Sequence, residues 1–341
     1  MSNHKKEINP FLFEIAGVVV EMSSSFQLDL DIMLKYLKHH IVEQNDAIVP
    51  HHKLKTINTM HMELPDDAQH KWTLGYHGMM RFGARNFIER FARKLTYRYN
   101  DEAAVCYHSD TTGCDYIRIS KGQFWIINDN TNNETICHII ETHNSLIHKK
   151  RKPSISAAAP LLLHLILAAH KRYVMHSSAV KCSNGAHVFL GVSGSGKSTL
   201  CTDLAQNCGA EFMGDDLICI YEQGGTIMAG ALLLDVKLFE ENKSCKNIID
   251  LIDDRGVKFC HSAPVASFCR VNQTRTGAST LEPLDDEMKL HQLLMSSNNA
   301  AMQPDKEHWM NVIINACTTV PMFTFNFGDR NLLDKKILEE I

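Results

Sequence analysis

Residues Gly191 to Ser198 read GVSGSGKS, a full match to the pattern G-x-x-x-x-G-K-[ST]. Glycines at those positions let successive backbone N–H groups turn inward around a phosphate. On this reading Gly191, Ser193, Gly194, Ser195 and Gly196 form the cradle, with Thr199 just beyond it. Lys197 brings a point charge to the β/γ-phosphates, and the Ser198 hydroxyl is placed to ligate Mg2+. A chance match somewhere in a chain this long is on the order of 1%. A second cluster, Gly214, Asp215 and Asp216, places its first aspartate 18 residues after Lys197. One carboxylate of such a pair can complete a Mg2+ shell while the other accepts a proton from an attacking hydroxyl. The plainer reading is a solvated Gly-Asp turn. The nearby phosphate loop weighs for the chemical one.

The elements needed to hold these residues are legible around them. His187 to Leu190 reads as a strand entering the loop, and Thr199 to Asn207 as the helix leaving it, with Leu200 and Leu204 on one face. Glu211 to Met213 and Leu217 to Tyr221 read as strands flanking the aspartate pair, followed by a strand at Thr226 to Ala229. Upstream come a buried helix, Pro160 to His170, and a strand, Tyr173 to Lys181, that carries His176. Asp285 to Met295 and His308 to Ala316 read as helices, and Pro321 to Phe327 as a late strand. The expected fold is an α/β P-loop domain with a mixed sheet over 154–341. An α+β module over 1–147 precedes it, joined by the basic stretch 148–153, which is either a linker or a contact for a partner or nucleic acid. The first module predicts a strand pair at Phe11 to Met22 and amphipathic helices at Asp29 to His40 and Arg85 to Tyr99. Short strands follow at Ala103 to His108, Tyr116 to Ser120, Gln123 to Asn128 and Thr135 to Glu141.

Composition excludes some classes. The chain has 341 residues, 44% of them hydrophobic, and a net charge of −4, so no global basic field favours nucleic acid. Its 11 cysteines include no C-x-x-C pair, which suits free thiols in a reducing compartment. The most apolar stretch, Ala157 to Ala169, is too short to span a bilayer. The expectation is a cytoplasmic protein with neither membrane nor nucleic acid as partner. Weaker signals are the basic face of Arg85 to Tyr99, read as a solvated face or else a contact for an acidic peptide, a membrane surface or nucleic acid, and the cations Arg255, Arg270 and Arg275, which are structural or neutralise a moving phosphoryl group. Cys106, His108 and Cys114 have poor zinc spacing, and His39-His40 and His51-His52 read as surface segments.

Three blocks in order carry a family resemblance: Met175 to Val180 (MHSSAV), Phe189 to Ser198 (FLGVSGSGKS) and Phe212 to Asp216 (FMGDD). The loop alone resembles that of gluconate kinases, but 190 residues precede it here. Together the blocks resemble the HPr kinase/phosphorylase-like family, which is related in fold to phosphoenolpyruvate carboxykinase. The resemblance is strong from Pro160 to Tyr221 and weak over the rest of the second half. It implies ATP and Mg2+ as cofactors, Asp215 as general base toward a serine hydroxyl, and Asp216 holding the metal or orienting His176. His176 is implied as a positioning or proton-sharing group, and Lys197 as part of the catalytic set. The alternative for His176 is a satisfied core histidine. Ser198 is followed by Thr199 where HPr kinases proper carry glutamate, and no HPr-docking glycine signature lies between Gly230 and Arg275. The chain therefore looks more like divergent relatives that phosphorylate a serine of a precursor peptide, with a peptide or protein acceptor and a homo-oligomer as implied partners. A small-molecule kinase for free serine or a sugar acid is a second reading. A nucleotide-hydrolysing switch is a third.

Overall fold

Alternation of apolar and polar residues drives the first half of the chain into strands. The computed structural model describes residues 10–24, 31, 33–34, 37–43, 48–59, 62–75, 102–119, 124–140, 159–192, 194–232, 235–239, 246–274, 277–297, 305–330, 333 and 337. Two compact units divide at His170 and Lys171. The expected linker 148–153 and the basic helix Arg85 to Tyr99 lie outside the described residues.

In the first unit, β1 (Phe11–Ile15) and β2 (Val18–Ser24) form a hairpin. Its two loop residues, Ala16 and Gly17, have φ of 51° and 76°, the left-handed pair that a tight hairpin turn requires. Seven more strands complete the sheet: β3 (Ile41–Val42), β4 (His52–Thr59), β5 (Gln69–Gly75), β6 (Glu102–Ser109), β7 (Cys114–Ile119), β8 (Phe124–Asp129) and β9 (Glu134–Ile140). The order is β3-β1-β2-β4-β9-β8-β7-β6-β5. The β2–β4 and β4–β9 pairs are parallel and β9 to β5 is an antiparallel meander, so the sheet is mixed. Of the expected helix from Asp29, residues 31, 33–34 and 37 are helical and Lys38–His40 is a 3-10 turn. The histidine pairs are not simply surface groups. His40 bonds the Glu14 carbonyl through Nδ1 at 3.1 Å, and His52 opens the buried face of β4, with Nε2 2.9 Å from Thr135 Oγ1. The 3-10 turn buries His40, and strand alternation buries His52. The apolar segment forms α1 (Ala159–Ala169) and belongs with this unit. No helix among the described residues is long and apolar enough to cross a membrane.

The second unit begins with β10 (Tyr173–Met175), β11 (Ser178–Cys182) and β12 (Gly185–Leu190), then α2 (Lys197–Asn207). Next come β13 (Glu211–Gly214), β14 (Ile218–Gln223), β15 (Thr226–Ala231), β16 (Asp235–Phe239), β17 (Lys246–Asp250) and α3 (Leu251–Arg255). It ends with β18 (Ser262–Gln273), β19 (Thr280–Pro283), α4 (Asp286–Ser296), α5 (Lys306–Thr319) and β20 (Met322–Phe327). Its main sheet runs β10-β14-β15-β18-β12-β11-β13, with β20 on β18 and β19 on β20. β12 shows why both faces are covered. Val188 and Leu190 join a core with Leu293 of α4 and Trp309, Val312 and Ile313 of α5, whereas Phe189 joins Leu200, Cys201 and Leu204 of α2. The whole is a mixed α/β structure with two large mixed sheets.

Candidate active site

The strand His187 to Leu190 and the helix Thr199 to Asn207 fall within β12 and α2, with residues 191–196 as the loop between them. Helices α4 and α5 start on aspartate caps, Asp285 accepting from the Met288 amide and Asp305 from the His308 amide, both at 2.9 Å. α2 starts differently. Its cap is Gly196 at φ 100°, and no side chain caps it, so its first N–H groups lack the side-chain acceptor that α4 and α5 have. The loop geometry suits a phosphate on two further counts. A Cβ at Gly191 (φ 140°) would stand 2.8 Å from Ser195 Oγ, so glycine keeps the cradle open. Ser195 Oγ is itself buried with no partner among the described residues, a polar atom suited to a ligand oxygen. Ser193 lies outside the described residues, and Gly194, at φ 90°, is exposed.

Lys197 is buried, and its ammonium donates to the carbonyls of Gly191 at 2.7 Å and Val192 at 3.2 Å. It therefore reaches back along the loop it belongs to. Ser198 and Thr199 are half-buried in the first turn of α2.

Asp215 follows β13 and is almost fully buried, while Asp216 is half-buried at φ 65°. Three donors hold the Asp215 carboxyl: the Ser178 hydroxyl at 2.5 Å, the Ser198 hydroxyl and the Asp216 amide. Burial pushes its pKa up, the Asp216 charge adds to this, and the three hydrogen bonds oppose it. The aspartate of β13's loop and the serine of the phosphate loop thus share a hydrogen bond. Two oxygen ligands and a like-charge pair are the donor chemistry that Mg2+ suits.

His176 sits in the gap between β10 and β11, where the single expected strand breaks because β10 pairs with β14 and β11 with β12 and β13. Its Nδ1 is 3.1 Å from the Asp216 carbonyl, and its amide donates to the Ser296 carbonyl at 2.7 Å. A carbonyl only accepts, so Nδ1 carries the proton. The Asp216 backbone thus helps orient the ring. Arg255 is exposed at the end of α3, Arg270 is half-buried in β18, and Arg275 lies outside the described residues.

Sequence reasoning missed Ser178, although it lies in the MHSSAV block, because nothing local marks its hydroxyl as facing a carboxylate 37 residues away. It also missed Arg330, whose guanidinium pairs with Asp203 of α2 through Nε at 2.7 Å and Nη2 at 2.5 Å.

No protein-family model and no curated protein matches the chain. Among solved structures it is similar to an HPr(Ser) kinase/phosphatase from Coxiella burnetii, with 13% sequence identity and a TM-score of 0.31, over 49% of this chain and 94% of that one.

Proposed function

We propose that this chain is a Mg·ATP-dependent phosphotransferase that phosphorylates a serine hydroxyl of a peptide or protein. The observation that carries the reading is the contact of Ser198, in a phosphate loop, with Asp215, in an aspartate pair. Phosphate grip and proton acceptor thereby converge on one spot. Backbone N–H groups at Gly194, Gly196 and the start of α2, with Lys197, would hold the β- and γ-phosphates. Ser198 and the aspartate pair are the groups that would hold Mg2+, which supplies charge neutralisation when bound. The acceptor oxygen forms a bond to the γ-phosphorus as the bridging P–O bond to ADP breaks, and the hydroxyl proton passes to a carboxylate. Little covalent chemistry falls to the protein, so alignment carries most of the rate.

The resemblance makes Asp215 the base and Asp216 the metal ligand. One observation favours the exchange of these roles: Asp215 is buried and tied to Ser198, whereas Asp216 is half-buried and nearer the surface. On that assignment Asp215 fixes Ser198 and the metal, and Asp216 takes the proton.

Radiolabelled ATP incubated with serine-containing peptides, with free serine and with no acceptor tests the reaction. Label in peptide is expected. Label only in serine or only in free phosphate would overturn the peptide acceptor. Lys197→Ala is expected to abolish transfer, and wild-type turnover in that variant would remove the site. Asp216→Asn should keep Mg·ATP binding and lose transfer, while Asp215→Asn should weaken Mg2+ dependence and binding together. The opposite pattern restores Asp215 as base.

A further inference from the structure

Parallel strands end on one edge of a sheet, and in the second unit this sorts the loops around the phosphate site. β13 and β12 each run antiparallel to β11 and so point the same way, and β18 is parallel to β12 and β20 to β18. The aspartate pair follows β13 on one flank of the phosphate loop. On the other flank are the ends of β18 and β20. Ligands of open α/β sheets lie along this carboxyl edge. The acceptor must meet the aspartates, so the rest of a donor held by its phosphates extends over the ends of β18 and β20.

That second flank is in contact with the loop. A Cβ at Gly196 would stand 3.5 Å from both the Gln273 side chain and the Phe327 ring. The Thr274 amide and hydroxyl both donate to the Phe327 carbonyl, at 2.9 and 3.1 Å, and the Asp329 amide donates to the Gly277 carbonyl at 2.8 Å. The two strand exits are thereby tied together, and that of β20 leads directly to Arg330. Its Nε and Nη2 form a two-bond fork with Asp203, whose side chain is 3% exposed, yet the arginine side chain is 61% exposed. Asp203 lies about 9 Å along α2 from Lys197, at 1.5 Å per residue. Two nitrogens of the guanidinium are thus held beside the phosphate-loop helix, on a side chain that is mostly exposed.

We propose that Arg330 is the stacking platform for the nucleobase of the phosphoryl donor and that Asp203 fixes its plane. A guanidinium stacks on aromatic faces, which an ammonium of equal charge does not do. Stacking reads no base edge, so adenine and guanine nucleotides are both accepted. This rests on the phosphate loop's binding a nucleotide. The test separates the two claims by titrating calorimetrically Mg·ATP, Mg·GTP and Mg·tripolyphosphate, which lacks a base.

Arg330→Lys keeps a cation for Asp203 and removes the planar face, so it guards against a folding defect in Arg330→Ala. Both variants are expected to lose at least about fivefold in affinity for ATP and GTP, the low end of one stacked base, with tripolyphosphate unchanged. Lys197→Ala should weaken all three ligands. Wild-type ATP affinity in Arg330→Lys, or an equal loss for tripolyphosphate, would overturn the platform and leave the phosphate site standing. Failure of the wild-type protein to bind any of the three would overturn both.

Discussion

Replacing Ser178 by alanine tests whether Asp215 is a charged, built component of the site. The Ser178 hydroxyl donates to Asp215 Oδ1 at 2.5 Å, and both residues are at most 1% exposed. Bulk solvent therefore does not reach the pair to replace the lost donor. A buried hydrogen bond to a charged group contributes about 1.5–3 kcal/mol, so Ser178→Ala is expected to cost about 2 kcal/mol. In a domain of this size that is roughly 4–8 °C in Tm. The loss must depend on pH. Asp215's folded pKa is raised, first by burial and then by Asp216, and the Ser178 bond opposes that rise. Ser178 therefore stabilises mainly the ionised carboxylate. Its contribution is full above the folded pKa and shrinks as pH falls through it, where Asp215 becomes protonated. Urea unfolding of wild type and Ser178→Ala at several pH values measures this, with Trp309, buried in the second unit's core, as the fluorescent reporter. The same substitution in an Asp215→Asn background should cost less, about 1 kcal/mol, because only a neutral hydrogen bond is lost there. A penalty equal at every pH, or undiminished in the Asp215→Asn background, would refute the reasoning.

Three further outcomes are expected. Gly191→Ala brings a Cβ to 2.8 Å from Ser195 Oγ at φ 140°, so it should cost about 1–3 kcal/mol of stability and abolish ATP binding, whereas Gly194→Ala meets no atom within 4 Å and should be milder, both read by calorimetry. His187, buried between Ser267 and Asn184, has its pKa pushed down to about 4 by desolvation. The unfolded chain binds that proton first, so stability should fall by about 3 kcal/mol as pH drops from 6.5 to 4, and His187→Gln should flatten that slope in acid-unfolding curves. Wild-type Tm should rise on adding Mg2+; Asp215→Asn should show little rise.

What was legible in the sequence is what is encoded locally. The phosphate loop depends on glycines within six residues and on the helix that must follow them, and β12, the loop and α2 lie in that order. Asp285 and Asp305 signal their helices by caps, and PMFTFNF alternates as β20 does. Less visible was β18, 12 residues long and interrupted by Pro264 and Ser267, because it is stabilised by neighbours on both edges and not by its own alternation. β4, β5 and the β16–β17 hairpin passed unread for the same reason, their pairing being with distant or weakly patterned partners. His176 was placed on a strand and sits in a strand break, since only sheet pairing decides that β10 and β11 part there.

The chemistry divides in the same way. Sequence alone determined which residue types were present for the proposed phosphate grip and proton transfer, because such motifs act through consecutive backbone and adjacent carboxylates. Tertiary structure decided which groups meet. It put Ser178 and Ser198 on Asp215, the Asp216 carbonyl on His176, and Arg330 on Asp203 across 127 residues. Those contacts depend on strand order and direction, and no window of sequence contains both partners.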